Sequence, residues 1–249
     1  MAAELLLQAT GITRRWGGLV AVNEVALDLR RGEVHAVIGT NGAGKSTLIN
    51  ILSGEIPPSA GRVQLLGQDV TAWSQPRRAR AGLGRSYQRN TIYPGFSVLE
   101  NCRLAAQART PRPWRFWEDA QRCPDSVPAA RAAAARAGLA ELLDRPAGLL
   151  SHGQKRQLEI AMCLATAPQV LLLDEPLAGM GAEETERMLA LLAELKRGHA
   201  ILLVEHDMDA VFRIADTITV MVNGAVIASG TPDAVRSNRE VQAAYLGGH

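Results

Sequence analysis

A glycine-rich turn joins a short apolar stretch to an apolar-periodic stretch near the start of the chain. Residues 34–38 (VHAVI) predict a short buried strand, and residues 45–52 predict a helix. The turn between them, residues 39–47, reads GTNGAGKST. A strand, a tight glycine turn and a helix in this order are typical of a parallel α/β sheet. This segment constrains the fold more than any other.

The same turn has the residues that a phosphate group requires. It fits the pattern G-x-x-x-x-G-K-[ST], in which backbone N–H groups and a helix N-terminus face an anion. Lys45 would reach the β and γ phosphates, and Ser46 would give its hydroxyl to Mg²⁺. The alternative is a strand-to-helix turn without a ligand. We predict a nucleotide site formed by Gly39, Asn41, Gly42, Ala43, Gly44, Lys45, Ser46 and Thr47.

Predicted strands and helices alternate along most of the chain. The strands are at 20–29, 62–66, 170–173, 200–204 and 217–222. The helices of the second half are at 153–166, 183–197 and 207–214. Such alternation implies a parallel sheet with right-handed crossovers. Between residues of about 81 and 145 the character changes, and predicted helices at 97–108 and 129–143 indicate a helical insertion.

Two carboxylates follow the apolar stretch at 170–173. Asp174 and Glu175 thus stand at the carboxyl end of a predicted parallel strand, where ligands gather in such sheets. We expect Asp174 to hold Mg²⁺, directly or through water, and Glu175 to polarise an attacking water. The alternative is a pair of solvated acids at the start of a loop.

Three further side chains are candidates for the same site. His206 follows the apolar stretch ILLV, whose strand should lie near the Asp174 strand, so it could reach a γ-phosphate or serve as a structural hydrogen-bonding group. Gln88 follows a predicted strand at 83–87, where it could contact Mg²⁺ and the attacking water, or be an ordinary polar loop residue. Trp16 is either a core aromatic or a platform on which adenine stacks.

A helix start with an unusual sequence, LLSHGQKRQLEIA, lies at residues 149–161. Ser151 is predicted as its N-cap, and Gln154 stands where a capping box has Glu or Gln. A cap alone does not require the sequence Ser-His-Gly-Gln, so the segment calls for a second role.

Composition and charge argue for a folded protein with a core and give no support for nucleic-acid, disulfide-rich or membrane-spanning classes. The 249 residues are 47% hydrophobic, enough for a substantial core, and a net charge of +2 does not argue for a nucleic-acid partner. The three cysteines, Cys102, Cys123 and Cys163, lack CxxC spacing, which fits reduced thiols in a cytoplasmic protein. We expect no signal peptide and no membrane span, so any action at a membrane would use a partner.

Taken together, these residues resemble the ATP-binding subunits of ABC transporters over nearly the whole chain. The order is that of the family: Trp16, the phosphate loop, Gln88, the signature at 150–154, the acidic pair and His206. The resemblance implies a P-loop NTPase (RecA-like) core with an antiparallel β sub-domain and an inserted helical sub-domain. One domain would span 5–249, with the core and β sub-domain at 5–88 and 166–249 and the helical sub-domain at 89–165.

The resemblance also implies that two such subunits sandwich two ATP molecules, with Trp16 stacking on adenine. The family signature LSGGQ reads LSHGQ here. Ser151, Gly153 and Gln154 would then contact the nucleotide of the other subunit, with Ser151 and the Gly153 backbone donating to its γ-phosphate. His152 replaces a glycine, so a positive φ is not expected there. The His152 side chain either points outward or makes a pH-sensitive contact near the phosphate.

A finer resemblance connects the chain with importer ATPases for branched-chain amino acids, a subgroup that includes amide and urea importers. It is carried by GLGRSYQ, PGFSVLEN, GQKRQLEIA, DEPLAGM and the ending VIASGTPDAVRSNREVQAAYLG. The Pro- and Trp-bearing stretch 110–128 falls where these importers have an insertion. Thr40 and Gly181 depart from the family, the latter in a loop that usually ends in Asp or Asn. This second departure bears on communication between the two sites.

We therefore expect an ATPase subunit that powers import of branched-chain amino acids or related small polar solutes. Its partners would be two transmembrane permease subunits, a second ATPase subunit (a copy or a paralogue) and, indirectly, a periplasmic solute-binding protein. It would sit on the cytoplasmic face of the inner membrane, held by the permeases. Tyr93, Phe96 and Val98 would form the docking surface, unless they pack the helical sub-domain.

Other functions are alternatives. One is the ATPase of a lipopolysaccharide or lipid exporter, and another is a soluble ABC ATPase that acts on ribosomes or DNA. A P-loop kinase for small molecules would leave the segment 150–154 without a role.

Overall fold

The computed structural model describes residues 3–86, 92–109 and 123–246. Within these ranges the strands are β1 (Leu5–Trp16), β2 (Leu19–Arg30), β3 (Val34–Gly39), β4 (Ala60–Leu65), β5 (Gln68–Asp69), β6 (Leu83–Arg85), β7 (Val170–Asp174), β8 (Ala200–Val204), β9 (Thr217–Val222) and β10 (Ala225–Gly230). The helices are α1 (Lys45–Ser53), α2 (Gln75–Arg80), α3 (Val98–Arg109), α4 (Ser126–Arg136), α5 (His152–Ala165), α6 (Ala182–Lys196), α7 (Met208–Ile214), α8 (Pro232–Arg236) and α9 (Arg239–Leu246). Short 3-10 turns occupy Ala140–Leu142 and Ala147–Leu149.

The strands form two sheets. The six-stranded sheet has the order β10-β9-β3-β8-β7-β6, and all its neighbours are parallel except the β10–β9 pair. The four-stranded sheet, β2-β1-β4-β5, is antiparallel. The predicted fold class, α/β with a parallel core sheet and a separate antiparallel sheet, is therefore confirmed.

The strand order brings distant segments of the chain together. β8 lies between β3 and β7, and all three run in the same direction. Val204 of β8 pairs with Val37 on one side and with Asp174 on the other, so the three carboxyl ends are nearly level. The turns that follow these strands therefore lie at one edge of the sheet, where open α/β sheets bind ligands.

Apolar residues on the two faces of the central strands belong to two different cores. In β8, Ile201 and Leu203 join the cluster that packs under α3, α4 and α5, whereas Leu202 and Val204 face α1 and the four-stranded sheet. Side chains of a strand alternate between faces, and a parallel sheet covered on both sides is apolar on both. The central strand β3 is accordingly buried along its whole length.

The structure differs from the predicted elements in the middle segment and near the ends. The helix expected at 129–143 stops at Arg136, because Gly138 takes a left-handed conformation (φ 77°) that ends the turn. β1 was not predicted; its pairing with β2 contains register shifts that break the regular alternation of apolar residues. α3, α4 and α5 pack together, but the predicted sub-domain bounds, 89–165 against the rest, stay a prediction. In the described part of the chain, no helix has the length and apolar character that crossing a bilayer requires.

Candidate functional site

The turn between β3 and α1 is held in a conformation that only glycine adopts easily. Gly42 and Gly44 have φ values of 80° and 96°, in the region that L side chains avoid. A Cβ on Gly44 would lie 2.3 Å from the carbonyl oxygen of Ala21, so β2 also excludes a side chain there. α1 begins at Lys45 without a side-chain cap from Gly44. Its first N–H groups are therefore available to an anion.

The loop lines an open cleft of about 660 Å³, a size typical of small-molecule sites. The predicted residues that line it are Trp16, Asn41, Gly42, Ala43, Gly44, Lys45, Ser46, Thr47 and Glu175. Gly39 lies deeper, as the last residue of β3, where a Cβ would lie 2.2 Å from the carbonyl oxygen of Met221. Sequence segments more than a hundred residues apart thus meet in one cleft.

The side chain of Lys45 is folded back on its own loop. Its Nζ donates hydrogen bonds to the carbonyl oxygens of Gly39 (2.7 Å) and Thr40 (3.0 Å). Burial lowers the pKa of Lys45, and the nearby carboxylates of Glu175 and Asp174 oppose that shift. The charge of the ammonium group is therefore partly balanced by the acidic pair.

The two acids occupy different environments. Asp174 is buried, and its backbone N–H donates to Ser86 Oγ at 3.2 Å. Burial raises the pKa of Asp174, whereas the charges of Arg85 and Lys45 counteract it. Glu175 has a left-handed backbone (φ 49°), which is uncommon outside glycine and is found at functional sites. Glu175 is also among the residues that line the cleft.

The loop after β8 is anchored by a residue that the sequence interpretation passed over. Glu205 is completely buried; its Oε1 accepts from the Leu177 N–H at 2.8 Å, and its Oε2 accepts from the His206 N–H at 3.1 Å. Burial raises the pKa of Glu205. The signal was present in the sequence, because a carboxylate directly after an apolar strand must find partners if it is buried. The side chain of His206 is 62% exposed beside the cleft and, within the described residues, is not among those lining it.

Trp16 is a surface residue, so the core-aromatic interpretation is wrong. Its side chain is 49% exposed and lines the cleft. The guanidinium of Arg14 lies over the ring at 3.8 Å from its centre, a cation–π contact. One face of the indole is thus covered by Arg14.

The signature begins α5 with the predicted capping box. Ser151 Oγ accepts from the Gln154 N–H at 3.2 Å, and Gln154 Oε1 accepts from the Ser151 N–H at 3.0 Å. His152 is exposed and has no positive φ, as predicted. Ser151, Gly153 and Gln154 line a small separate pocket with Glu184, and the structure does not bring them to the phosphate loop of their own chain.

Two other predictions have different outcomes. Gln88 lies outside the described residues.

Tyr93 and Phe96 are 55% and 46% exposed with ring centres 5.5 Å apart, as a docking surface requires. Val98 is completely buried, so its inclusion in that surface was wrong. At the start of α3 it belongs to the apolar cluster beneath the helices.

Comparisons with known proteins agree with this geometry. A family model described as "ABC transporter" matches residues 22–178, and one described as "Branched-chain amino acid ATP-binding cassette transporter" matches 225–249. The high-affinity branched-chain amino acid transport ATP-binding protein BraF of Pseudomonas aeruginosa is 39% identical over 97% of this chain and 98% of its own. LivG of Escherichia coli, described in the same words, is 40% identical over 97% and 98%.

Solved structures give the same picture of the fold. The ADP conformation of an ATP-binding cassette of an ABC transporter is similar with a TM-score of 0.88 and 31% identity, over 98% of this chain and 99% of that one. A nucleotide-free cassette from an ABC transporter is similar with a TM-score of 0.87 and 30% identity, over 97% and 98%. The arrangement of sheets and helices is thus that of an ATP-binding cassette.

Proposed function

Because the chain belongs to the family of ABC transporter ATP-binding subunits, we propose that it powers import of branched-chain amino acids or related small polar solutes. As a member of this family it binds nucleotide, is an ATPase and works with membrane permeases. The observation that carries the choice of solute is the match to BraF and LivG along almost the full length of all three chains. The match at 225–249 supports the same choice from the opposite end of the chain.

The phosphate groups of ATP would lie on the loop between β3 and α1. The first residues of α1 line the cleft, where free N–H groups of a helix start favour an anion, and Lys45 adds a positive charge to the lining. The ammonium group must first leave the carbonyl oxygens of Gly39 and Thr40. We infer that a phosphate oxygen replaces these carbonyl groups when ATP binds, since a charged acceptor makes the stronger hydrogen bond.

The oxygen atoms beside the phosphate loop fit a magnesium ion. Mg²⁺ favours one or two carboxylate or hydroxyl ligands together with substrate phosphates. Asp174 offers a buried carboxylate, and Ser46 offers an exposed hydroxyl at the first turn of α1. The ion would offset the negative charge of the β and γ phosphates. Gln88 is proposed as a further contact of the ion and the attacking water.

Glu175 is the proposed general base. Glu175 lines the same cleft as the phosphate loop, and its backbone is in the left-handed region. It would accept a proton from the attacking water, while His206, on the neighbouring loop, would contact the γ-phosphate. Trp16 would stack on adenine with the face that Arg14 leaves open.

A second ATPase subunit would complete each site. The donors Ser151 and Gly153 line a pocket separate from the cleft of their own chain. This separation supports the proposal that they serve the nucleotide of a facing subunit, which is a copy of this chain or a paralogue. Gly181, the N-cap residue directly before α6, leaves the loop between the acidic pair and α6 without the carboxylate or amide usual in the family.

The permease partners would dock on an apolar surface beside the helices. Tyr93 and Phe96 are exposed there. A separate cavity of about 310 Å³ is lined mainly by apolar groups of α2, β6, α3 and α5, including Ala79, Ala105 and Met162. Apolar recesses of this kind accept a partner helix. The subunit would then lie at the cytoplasmic face of the inner membrane, peripheral and held by two permeases.

Co-purification from native membranes tests the proposal. We expect two polytopic permeases and a second ATPase subunit, with ATP hydrolysis stimulated by a periplasmic binding protein loaded with leucine, isoleucine or valine. Stimulation by a lipid alone would favour the exporter alternative. Association with ribosomes or DNA, without membrane proteins, would contradict the transport function.

A further inference from the structure

The hydrogen-bond donors of the signature, Ser151 and Gly153, are bound by a carboxylate of the same chain. Glu184 Oε1 accepts a hydrogen bond from Ser151 Oγ at 3.1 Å and another from the Gly153 N–H at 3.3 Å. Both donors thus converge on a single oxygen atom. They are the same two groups that the proposed function assigns to the γ-phosphate of the facing subunit.

The absence of a side chain at Gly153 makes this contact possible. A Cβ on Gly153 would lie 2.7 Å from Cδ and 2.7 Å from Oε1 of Glu184. The recess at the start of α5 is therefore shaped to admit an acidic group closely, and Glu184 fills it. The helix N-terminus adds a favourable interaction with the negative charge.

Glu184 reaches this recess from the loop region after the acidic pair. It lies in the first turn of α6, three residues after Gly181. Its neighbour Glu183 is mostly exposed and is paired with Arg187 on the same helix. The first turn of α6 thus presents two glutamates, of which only Glu184 contacts the signature in the described structure.

We propose that Glu184 is an internal substitute for the γ-phosphate, and that closure of two subunits on ATP must displace it. The inference rests on the proposed function, since it assumes that the signature faces a nucleotide across the subunit interface. In the separate subunit, Glu184 holds Ser151 and Gly153 in their donating orientation. As the pair closes, a carboxylate left in place would repel the incoming phosphate, so its side chain has to swing out.

The γ-phosphate and the Glu184 carboxylate compete for the same two donors, and the outcome of this competition can be measured. A phosphate has more charge and more acceptor oxygens than a carboxylate, so it wins when ATP is bound in the facing subunit. After hydrolysis removes the γ-phosphate, the Glu184 carboxylate can again accept hydrogen bonds from Ser151 and Gly153. This favours separation of the two subunits. Glu184 therefore raises the ATP concentration needed for pairing and assists opening after hydrolysis.

The test measures ATP-dependent pairing in a Glu175→Gln background, which prevents turnover. Light scattering gives the ATP concentration at half-maximal dimer for the parent, for Glu184→Ala and for Glu184→Gln. We expect Glu184→Ala to lower this concentration by about two- to fivefold, the scale of an exposed charge-assisted contact, and Glu184→Gln to lower it less. Glu183→Ala is the matched control, because it removes a carboxylate from the same turn and should not lower the concentration.

A second measurement examines the contact without nucleotide. Hydrogen exchange of the Gly153 amide should be faster in Glu184→Ala than in the parent and unchanged in Glu183→Ala. If pairing occurs but Glu184→Ala lowers neither the ATP concentration nor the amide protection, this inference alone is wrong. If the Glu175→Gln parent pairs in the presence of ATP neither with a second copy nor with the ATPase subunit that co-purifies with it, the cross-subunit part of the proposed function fails, and the competition fails with it.

Discussion

The carboxylate of Glu205 accepts a buried hydrogen bond of 2.8 Å from the backbone N–H of Leu177. This bond joins the loop after the acidic pair to the loop that carries His206, whose N–H is bound by the other carboxylate oxygen. Two loops of the site are thus positioned by a single side chain that is itself inaccessible.

Replacing Glu205 should loosen both loops. Glu205→Leu leaves the N–H groups of Leu177 and His206 without their acceptor, so we expect a loss of about 2–4 kcal/mol in unfolding free energy. Glu205→Gln keeps one carbonyl acceptor and should lose about half as much. Urea denaturation measures both values, and equal losses in the two variants would contradict the anchoring role.

Glu175→Gln tests the proposed base. Glutamine has the same shape but cannot take a proton, so hydrolysis should fall by roughly 10²–10⁴-fold, the contribution of a positioned base. ATP binding should persist, and the dimer should become stable enough to isolate. Undiminished steady-state ATPase activity would show that another group accepts the proton.

Ser151→Arg tests the role of the signature across the interface. The isolated subunit should keep its ATP affinity, because Ser151 does not line the cleft of its own chain. Dimer-dependent hydrolysis should be lost, since a large side chain would block the approach of the facing nucleotide. Loss of the N-cap also costs about 1 kcal/mol. Thr231→Ala, which removes the N-cap of α8, is the control and should leave hydrolysis intact.

Trp16→Ala tests the adenine platform. Stacking of a base on an aromatic ring contributes about 1–3 kcal/mol, so ATP affinity should fall by roughly 5- to 150-fold. Affinity for inorganic tripolyphosphate should not change, because it has no base to stack. Trp16→Phe should restore most of the ATP affinity. Equal weakening of both ligands in titration calorimetry would assign Trp16 to the shape of the loop instead.

Because of His35, the free energy of unfolding should decrease as the pH falls below about 6.5. Its Nδ1 lies 3.0 Å from the carbonyl oxygen of Asp28 and its Nε2 lies 2.8 Å from Thr219 Oγ1, an arrangement that suits the neutral ring with the proton on Nδ1. Burial lowers the pKa of His35 below its ordinary value of 6.5. The unfolded chain therefore binds the proton more readily, and the contribution of His35 to stability is complete above about pH 6.5 and declines below it.

The measurement is the unfolding free energy at pH 7.5 and pH 5.5. One such histidine contributes at most about 1.4 kcal/mol per pH unit. The unfolding free energy of His35→Gln should decline less than that of the parent. Part of the decline should remain in the variant, because burial also lowers the pKa of His199. The raised pKa values of Asp174 and Glu205 act in the opposite direction and are the same in both proteins. Identical declines would exclude His35 as the source.

Local features were predictable because they depend on neighbouring residues. The capping box of Ser151 and Gln154 follows from their spacing alone, and its two hydrogen bonds are present. The strand, turn and helix around residues 39–47 follow in the same way from periodicity and glycine placement. Where regular periodicity fails, as in the bulged pairing of β1, the element was missed.

Features that depend on distant partners were decided by the tertiary structure. Val98 looks like a surface residue beside Tyr93 and Phe96, yet packing of the helices buries it. Glu205 is an ordinary acid in the sequence and acquires its role only from the Leu177 N–H that folding places 2.8 Å away. The contact of Glu184 with the signature likewise joins two helices that no local pattern relates.

By itself the sequence determined the alternation of strands and helices in the core, the cap of α5 and the chemical types of the site residues, since backbone periodicity and capping act over a few residues. Only the tertiary structure decided which of those residues meet. The placement of β8 between β3 and β7 sets the three loops side by side, and burial selects which charges are held by hydrogen bonds. Strand order and burial are properties of the whole packed chain, so no short segment contains them.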